Sequence, residues 1–413
     1  MSYRLLKFTT TYSKFEKEYE KKVQKPKKTS FEQLYKIFSE SYYGWSDWYA
    51  KYLRELGNDA WEVPATLKPL QKKWAQKNQV QFDPKKWKKK IALCQAKKYQ
   101  PDIVFLQNLY FFDQEFRKSL RNAVGGNVVL VGWRSAPTSD FSKFKDIDLV
   151  LTSLPYFVDL MRKKGIKAEL LYGGFEPSIL EDSDVVSANR DIQFSFAGSL
   201  GSQYGAHEKR FAVISELLKR TPLHVWSGAK SNEEISYARY TKRWLKYYSN
   251  YALKKIRVPP KVRRSIPYIR QAERWTNPPR RTTLSKTYSD RLHSPVFGKN
   301  YFNILSKSKL TLNHHIDIAK EYAANNRLFE ATGMGACLLT EDKVNIEKFF
   351  DKNKEVVTYS SIEDAKKKAK YLLKNENKRK SIAKKGQSRT IRDHTFKKRV
   401  KKLDYYIKKH FKL

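Results

Sequence analysis

The segment from Asn325 to Glu330 places amide, guanidinium and carboxylate side chains within two helical turns of one another. It lies between two short apolar runs, residues 309–313 and 336–340, which read as buried strands. The polar residues would therefore lie at the carboxyl end of a strand, where open α/β sheets bind ligands. This segment is the first candidate for chemistry.

Each polar group in the segment suits one part of a phosphorylated ligand. The backbone amides of residues 323–326 would open a short helix, so they present donors and a positive dipole end to an anion such as a diphosphate. Arg327 can add charge-assisted hydrogen bonds, and Glu330, one turn later, can accept from both hydroxyls of a ribose. The alternative is an ordinary surface helix with a solvated arginine, and spacing alone favours that alternative.

Short apolar runs recur along the chain and are separated by segments of helix length. The first set includes one long helix over 30–57, which Gly57 ends, and a basic helix over 85–98. The strands predicted in this set are 4–8, 60–63, 102–106, 128–131, 148–151 and 168–172. Continuous apolar strands that alternate with helices indicate a parallel sheet covered on both faces.

A second set of alternating elements follows Gly173–Pro177, a turn that we interpret as a hinge. Its predicted elements are strands over 193–197, 223–226, 309–313, 336–340 and 355–359 and a helix over 208–220. Residues 229–295 interrupt the pattern with a segment rich in tyrosine, arginine and proline, predicted to be helical in its first half. The sequence therefore predicts two Rossmann-like, doubly wound α/β domains, residues 1–176 and 177–393, with a basic, aromatic insertion in the second.

Composition restricts the class of protein and the kinds of partner. The chain has 413 residues, 40% of them apolar, which is enough for two globular domains. Its formal charge of +42 indicates a polyanionic partner: nucleic acid, an anionic membrane surface or a phosphate-bearing substrate. A lysine-rich solvated surface is the alternative. The apolar runs are too short to span a bilayer and the start lacks a secretory signal, so we expect a cytoplasmic protein.

Residues 325–340 read Asn-Asn-Arg-Leu-Phe-Glu-Ala-Thr-Gly-Met-Gly-Ala-Cys-Leu-Leu-Thr, which resembles the donor-site signature of the CgeB-like (spore maturation protein) glycosyltransferases. That family is a branch of the retaining GT-B enzymes and is similar to glycosyltransferase group 1. Shorter stretches that resemble the same family lie at 44–49, 101–105, 148–155, 196–199 with His207 and Arg210, 312–315 and 392–396. In this order they cover nearly the whole chain except residues 229–295.

The resemblance implies a GT-B fold, in which the first domain faces the acceptor, the second binds a nucleotide-sugar donor and a cleft separates them. It also implies that the final helix, residues 394–413, returns to the first domain. The donor-site residues that it implies by position are Glu330 for the ribose, Asn326 and Arg327 for the diphosphate, and Ser199 and Arg210 for phosphate-side contacts.

Two further residues are candidates for the catalytic cleft. The resemblance places one histidine of the pair 314–315 in the cleft, and we choose His315. Asp47 could orient an acceptor hydroxyl or merely cap the helix that follows it, and both interpretations stay open. One position departs from the family: where many retaining GT-B enzymes have a first glutamate that touches the sugar, this chain has Tyr322, with Glu321 beside it. The sugar contact and the identity of the sugar therefore stay open.

No cofactor and no divalent metal ion is expected to be obligatory. His314 and His315 are neighbours on a predicted strand, so they face opposite sides and cannot easily share an ion. Asp146 and Asp148 resemble the acidic triplet of metal-dependent glycosyltransferases, yet Asp148 opens a buried strand, where capping is the stronger interpretation. The expected co-substrate is a nucleotide sugar, UDP-linked in our interpretation, and retention by front-face attack follows from the family alone.

The acceptor class stays open between a cell-envelope glycan, a lipid-linked glycan and a protein. The basic insertion and the final helix could hold the enzyme at the inner face of an anionic membrane. The final helix has an apolar stripe flanked by lysines, made of Phe396, Val400, Leu403, Ile407 and Phe411. The alternative, which the implied fold favours, is that this stripe packs on the first domain.

Two rival functions come from other classes of protein. A nucleic-acid-binding protein is favoured by the charge and by the aromatic, basic insertion, but the sequence contains no recognised binding module, so nucleic acid is not the expected partner. A catalytically inactive, structural GT-B protein is favoured by Tyr322. Binding of nucleoside diphosphates distinguishes the enzyme from both.

Overall fold

The computed structural model describes residues 2–23, 28–136, 138, 140–200, 208–227, 237–270, 272–275, 278–279 and 287–412. His207, which belongs to one of the family-like stretches, lies outside the described residues. Within this part of the chain, twelve strands form two parallel sheets of six strands each. The predicted fold class, two doubly wound α/β units, is confirmed.

The first sheet has the strand order β2-β1-β3-β4-β5-β6. Its strands are β1 (Arg4–Thr9), β2 (Asp59–Pro64), β3 (Ile103–Leu106), β4 (Val129–Trp133), β5 (Leu149–Thr152) and β6 (Ala168–Leu170). Leu5 pairs with Ile103, and Ile103 pairs with Val129. Successive residues point to opposite faces of a sheet, and here Leu5 and Leu6 belong to two different apolar clusters. Both faces are buried, which is why the strands are continuously apolar.

The second sheet has the strand order β12-β11-β10-β7-β8-β9. Its strands are β7 (Ile192–Ala197), β8 (Leu223–Trp226), β9 (Leu292–His293), β10 (Ser308–Asn313), β11 (Cys337–Glu341) and β12 (Val357–Tyr359). β9 lies inside the predicted insertion and extends the sheet edge beside β8, where Val225 pairs with Leu292. The sequence did not predict this strand, because two residues are too few to give a pattern.

Helices connect the strands in both halves of the chain. Those of the first half are α1 (Ser13–Lys22), α2 (Phe31–Ser39), α3 (Trp48–Glu55), α4 (Lys68–Lys77), α5 (Trp87–Tyr99), α6 (Gln114–Val124) and α7 (Pro155–Arg162). Those of the second half are α8 (Glu208–Arg220), α9 (Tyr237–Lys255), α10 (Pro260–Ser265), α11 (Gly298–Lys307), α12 (Arg327–Gly333), α13 (Ile362–Lys374), α14 (Glu376–Asp393) and α15 (Phe396–Phe411).

The single long helix predicted over 30–57 is wrong, because the structure has two helices there, α2 and α3. Between them the backbone enters the left-handed region at Tyr42, Gly44 and Ser46, with φ of 55°, 63° and 43°. A helix cannot continue through such residues. The apolar spacing runs on across the turn because both helices bury one face, and this continuity concealed the break.

The final helix α15 packs on the first half of the chain. Four members of its apolar stripe, Phe396, Val400, Leu403 and Ile407, are fully or almost fully buried in the cluster that also contains Trp48 and Tyr49 of α3. The Tyr406 hydroxyl donates to the Leu170 carbonyl at 3.0 Å. The stripe is therefore covered by protein and does not face a membrane. In the described part of the chain, no helix is long and apolar enough to cross a bilayer.

Candidate active site

A cavity of about 800 Å³ is lined by residues from both halves of the chain. From the second half come the carboxyl ends of β7 and β8 and the start of α12. From the first half come the loops around Tyr12 and Tyr43. The carboxyl ends of parallel strands are the expected ligand-binding edge of such sheets. Four of the predicted donor-site residues line this one cavity: Ser199, Asn326, Arg327 and Glu330.

The two halves meet closely at one wall of the cavity. Gly298, the first residue of α11, has φ of +54°, and the next backbone amide, Lys299 N, donates to the Ser41 carbonyl at 2.9 Å. A β-carbon at position 298 would lie 2.0 Å from that carbonyl oxygen, so only glycine fits. The contact holds the loop with Tyr43 against Phe297, with their rings 6.1 Å apart.

Glu330 is held by a tyrosine that the sequence analysis did not single out. The Tyr301 hydroxyl of α11 donates to Glu330 Oε2 at 2.7 Å, and both residues line the cavity. Burial raises the pKa of Glu330, while the hydrogen bond from Tyr301 and the charge of Arg327 oppose that rise. The pair is separated by 29 residues in sequence, so no local pattern could have predicted it.

Arg327 lies at the end of β7, with its guanidinium fixed by the strand ends. Its Nη2 donates to the Ala197 carbonyl, its Nη1 lies 3.4 Å from Asn313 Oδ1, and its Cζ is 4.7 Å from the centre of the Phe196 ring. Gly198 has φ of +150°, and a β-carbon there would lie 2.2 Å from Arg327 Nη2. Gly198 thus leaves the space in which the guanidinium reaches the cavity wall.

Before the start of α12, fewer backbone amides are free to bind an anion than the sequence predicted. Ala323 N donates to Asn345 Oδ1 at 2.7 Å, and Asn345 Nδ2 donates back to the Ala323 carbonyl at 3.0 Å. The amide of Ala323 is thus occupied within the protein and does not face a ligand. Asn326 lines the cavity close to the turn at 173–177, where a β-carbon on Gly173 would lie 1.6 Å from its Oδ1.

Arg210 is buried and does not line the cavity. Its Nη1 donates to the Ser199 carbonyl at 3.1 Å and its Nη2 to the His314 carbonyl at 3.0 Å. Burial lowers the pKa of Arg210 to about 10, and Arg327 adds to the effect. Arg210 therefore joins the loops that follow β7 and β10, and its connection to Ser199 runs through the backbone of that loop.

His315 is also buried, with 1% of its surface exposed, and it is not among the residues that line the cavity. Its Nε2 lies 3.3 Å from Asn313 Nδ2, in a network that includes Thr340. Burial holds the pKa of His315 well below its usual range. His314 instead contacts the Tyr359 hydroxyl through Nδ1 at 2.8 Å. Within the described residues, no group of three or more His, Cys, Asp or Glu side chains could hold a metal ion.

Asp47 is the residue before α3, and its side chain lies outside the cavity lining. The side chain makes no capping hydrogen bond. Its carboxylate lies 3.7 Å from Arg54 Nη2, and burial raises its pKa. Tyr322 stacks on Tyr156 of α7, with ring centroids 5.8 Å apart.

Comparisons with known proteins bear on the fold and on part of the chain. Residues 260–404 match a family model described as glycosyl transferase-like. No curated protein matches the chain significantly. Three solved structures of similar fold are a glycosyltransferase from Rickettsia africae, sucrose-phosphate synthase from Thermosynechococcus elongatus, and Anabaena HepE in complex with UDP-glucose.

These structures share the architecture of the whole chain and little of its sequence. The Rickettsia enzyme is 11% identical with a TM-score of 0.54, over 100% of this chain and 99% of its own. The synthase is 9% identical with a TM-score of 0.53, over 99% of both chains. HepE is 9% identical with a TM-score of 0.52, over 99% of this chain and 100% of its own. The whole chain therefore has the GT-B architecture of these structures, and residues 260–404 match a glycosyl transferase-like family.

Proposed function

We propose that the protein is a CgeB-like, retaining glycosyltransferase that uses a UDP-linked sugar in the cytoplasm. The acceptor is a cell-envelope glycan, a lipid-linked glycan or a protein. In this proposal residues 1–176 face the acceptor, residues 177–393 bind the donor, and residues 394–413 tie the second domain to the first. The UDP-glucose complex of HepE supports the choice of nucleotide.

One observation carries the proposal: Glu330, Arg327 and Asn326 line a single cavity with Ser199, at the carboxyl ends of β7 and β8. The cavity volume, about 800 Å³, lies within the range of small-molecule sites. Tyr301 holds one carboxylate oxygen of Glu330. A carboxylate anchored on one side is well suited to accept hydrogen bonds from the two hydroxyls of a ribose.

Cationic residues of the same cavity can stabilise the transition state of sugar transfer. When the bond between sugar and diphosphate breaks, negative charge grows on the departing diphosphate, and fixed cations beside it lower the barrier. Arg327 and Lys14 are cations that line the cavity, one from each half of the chain. Arg327 is held by backbone and side-chain oxygens and needs no rearrangement as the charge develops. In this scheme no divalent ion is obligatory.

Thermal unfolding with UDP, GDP, ADP and CMP tests the proposal. A ligand that binds only the folded state stabilises it by about 2.7 kcal/mol at a hundredfold excess over its dissociation constant. We expect UDP to raise the melting temperature most. If no nucleotide shifts the melt at about millimolar concentration, donor binding is excluded and the proposal fails.

A second candidate is a GT-B protein that binds the nucleotide and does not transfer sugar. Tyr322 favours it, because an aromatic side chain stacked on Tyr156 stands where many relatives have a sugar-contacting glutamate. Release of UDP from UDP-sugars, measured with and without mixed glycan acceptors, separates the two functions. Tight UDP binding without any release of UDP from a panel of donors would favour the inactive protein.

A further inference from the structure

The insertion presents an unusual surface between residues 237 and 270. In the described part of the chain, nine of the seventeen large apolar side chains that are exposed lie in this segment. The aromatic ones are Tyr237, Trp244, Tyr248, Tyr251 and Tyr268. The aliphatic ones are Leu245, Ile256, Val262 and Ile266. Such a concentration of exposed apolar groups marks an interaction surface.

The charge of the same segment has one sign. Residues 237–270 contain eleven lysines and arginines and no aspartate or glutamate. Exposed cations of this segment are Lys242, Lys254, Lys255, Arg257, Lys261, Arg264 and Arg270. Glu273, just beyond it, lies 3.2 Å from Arg264 Nε and 3.6 Å from Arg263 Nη2. Lys242, Lys255, Arg257, Lys261 and Arg270 form no ion pair within the described residues and are available to a negatively charged surface.

The segment has a distinct inner face, so the exposed groups do not result from an unfolded arrangement. Asn250 of α9 is buried, and its Nδ2 donates to the Ala272 carbonyl at 3.0 Å. Arg263 and Ile269 are also buried. On the outer side, the Trp244 and Tyr248 rings are 4.2 Å apart and form an exposed aromatic pair.

We propose that residues 237–270 form a docking surface for an anionic phospholipid membrane. Lysine and arginine near such a surface are attracted by its negative potential, while tryptophan, tyrosine and aliphatic side chains enter the interfacial region. Aromatic and basic side chains alone would equally fit a single-stranded nucleic acid, whose bases stack on flat rings. Ile256, exposed at 72%, and Val262, exposed at 49%, have no planar face for a base, and lipid is the partner that accepts them.

The position of this docking surface relates it to the cavity. Ser227 lies just before the insertion and Pro295 is its last residue, and both line the cavity. In sequence, the docking surface therefore lies between two residues of the cavity wall. The inference does not depend on the proposed donor, because it rests on surface charge and exposure alone.

Sedimentation with vesicles tests the docking surface in the full-length protein. The vesicles contain phosphatidylcholine alone or with about one third phosphatidylglycerol, and each variant must first melt like the wild type. Lys254→Ala/Lys255→Ala should weaken binding to the anionic vesicles roughly 25-fold, because each lysine near the surface contributes about fivefold. Lys163→Ala/Lys164→Ala, which removes two exposed lysines at the end of α7, should bind like the wild type.

Ile256→Ser/Val262→Ser separates lipid from nucleic acid. This variant keeps every charge and should bind anionic vesicles several-fold more weakly, since it removes only groups that enter lipid. The proposal is overturned if the wild type does not prefer anionic vesicles, or if the variants at 254/255 and 256/262 both bind as well as the wild type. It is also overturned if a single-stranded oligonucleotide displaces the vesicles while the 256/262 variant retains full binding.

Discussion

The hydroxyl of Tyr301 donates to Glu330 Oε2 at 2.7 Å and fixes the carboxylate on which the proposed donor site depends. The bond joins α11 to α12 inside the cavity wall. Glu330 is thereby oriented before any ligand arrives, which reduces the cost of ordering it on binding.

Tyr301→Phe removes this hydrogen bond and keeps the ring. We expect UDP affinity to fall roughly three- to tenfold, because the hydrogen bond to a charged acceptor is lost while the carboxylate remains. The pH dependence gives a second readout. Burial raises the pKa of Glu330 and the Tyr301 bond opposes the rise, so the substitution raises that pKa further. As the pH falls, UDP binding should therefore begin to weaken at a higher pH in the variant than in the wild type. Titration calorimetry at several pH values measures this. An unchanged pH profile contradicts the role of Tyr301.

Gly198→Ala tests the space that Arg327 occupies. The new β-carbon would lie 2.2 Å from Arg327 Nη2, and φ of +150° is unfavourable for alanine, so the guanidinium must move away. We expect UDP affinity to fall at least about tenfold, the loss of one charged contact. Gly126→Ala is the matched control, because nothing lies within 4 Å of a β-carbon there. Equal affinity in the two variants would show that Arg327 does not contact the nucleotide.

Arg210 and Arg327 should respond differently to the same substitution. Arg210→Met leaves the Ser199 and His314 carbonyls without their donor, so we expect a loss of roughly 2–4 kcal/mol in the free energy of unfolding. Affinity of the folded variant for UDP should stay within about threefold of the wild type. Arg327→Met should instead weaken UDP binding strongly. Chemical denaturation and UDP titration on both variants measure this; a stronger binding defect in Arg210→Met would return Arg210 to the site.

The apolar stripe of α15 should contribute to stability and not to membrane binding. Leu403 is completely buried, so Leu403→Ala should lower the free energy of unfolding by about 2–5 kcal/mol. Tyr405→Ala, at a position 59% exposed on the same helix, should change it by less than about 1 kcal/mol. Denaturant melts of the two variants give the comparison. The prediction is contradicted if Leu403→Ala loses vesicle binding while its denaturant melt stays like that of the wild type.

The sequence predicted most strands because their burial on both faces leaves continuous apolar runs. The strand Leu223–Trp226 and the helix Glu208–Arg220 match their predicted bounds. Left-handed residues at Tyr42 and Ser46 broke a helix whose apolar spacing continued, and composition does not reveal such backbone angles. The segment 325–330 was predicted as a donor site at the start of a short helix, and Asn326, Arg327 and Glu330 line the cavity. Arg210 and His315 are buried by partners far along the chain. Spacing in the sequence therefore could not predict that their side chains would be buried and would not line the cavity.

Glu330→Gln tests most directly whether Glu330 binds the donor. The variant keeps an oxygen that can accept from Tyr301, so the melting temperature should hardly change, while the charge and one ribose acceptor are lost. UDP titrated into wild type and variant should show a loss of affinity on the order of tenfold to a thousandfold. Glu321→Gln, an exposed glutamate beside Tyr322, is the control and should bind UDP like the wild type. Equal UDP affinities of wild type and Glu330→Gln, with both proteins folded, would contradict the central claim that Glu330 holds the donor.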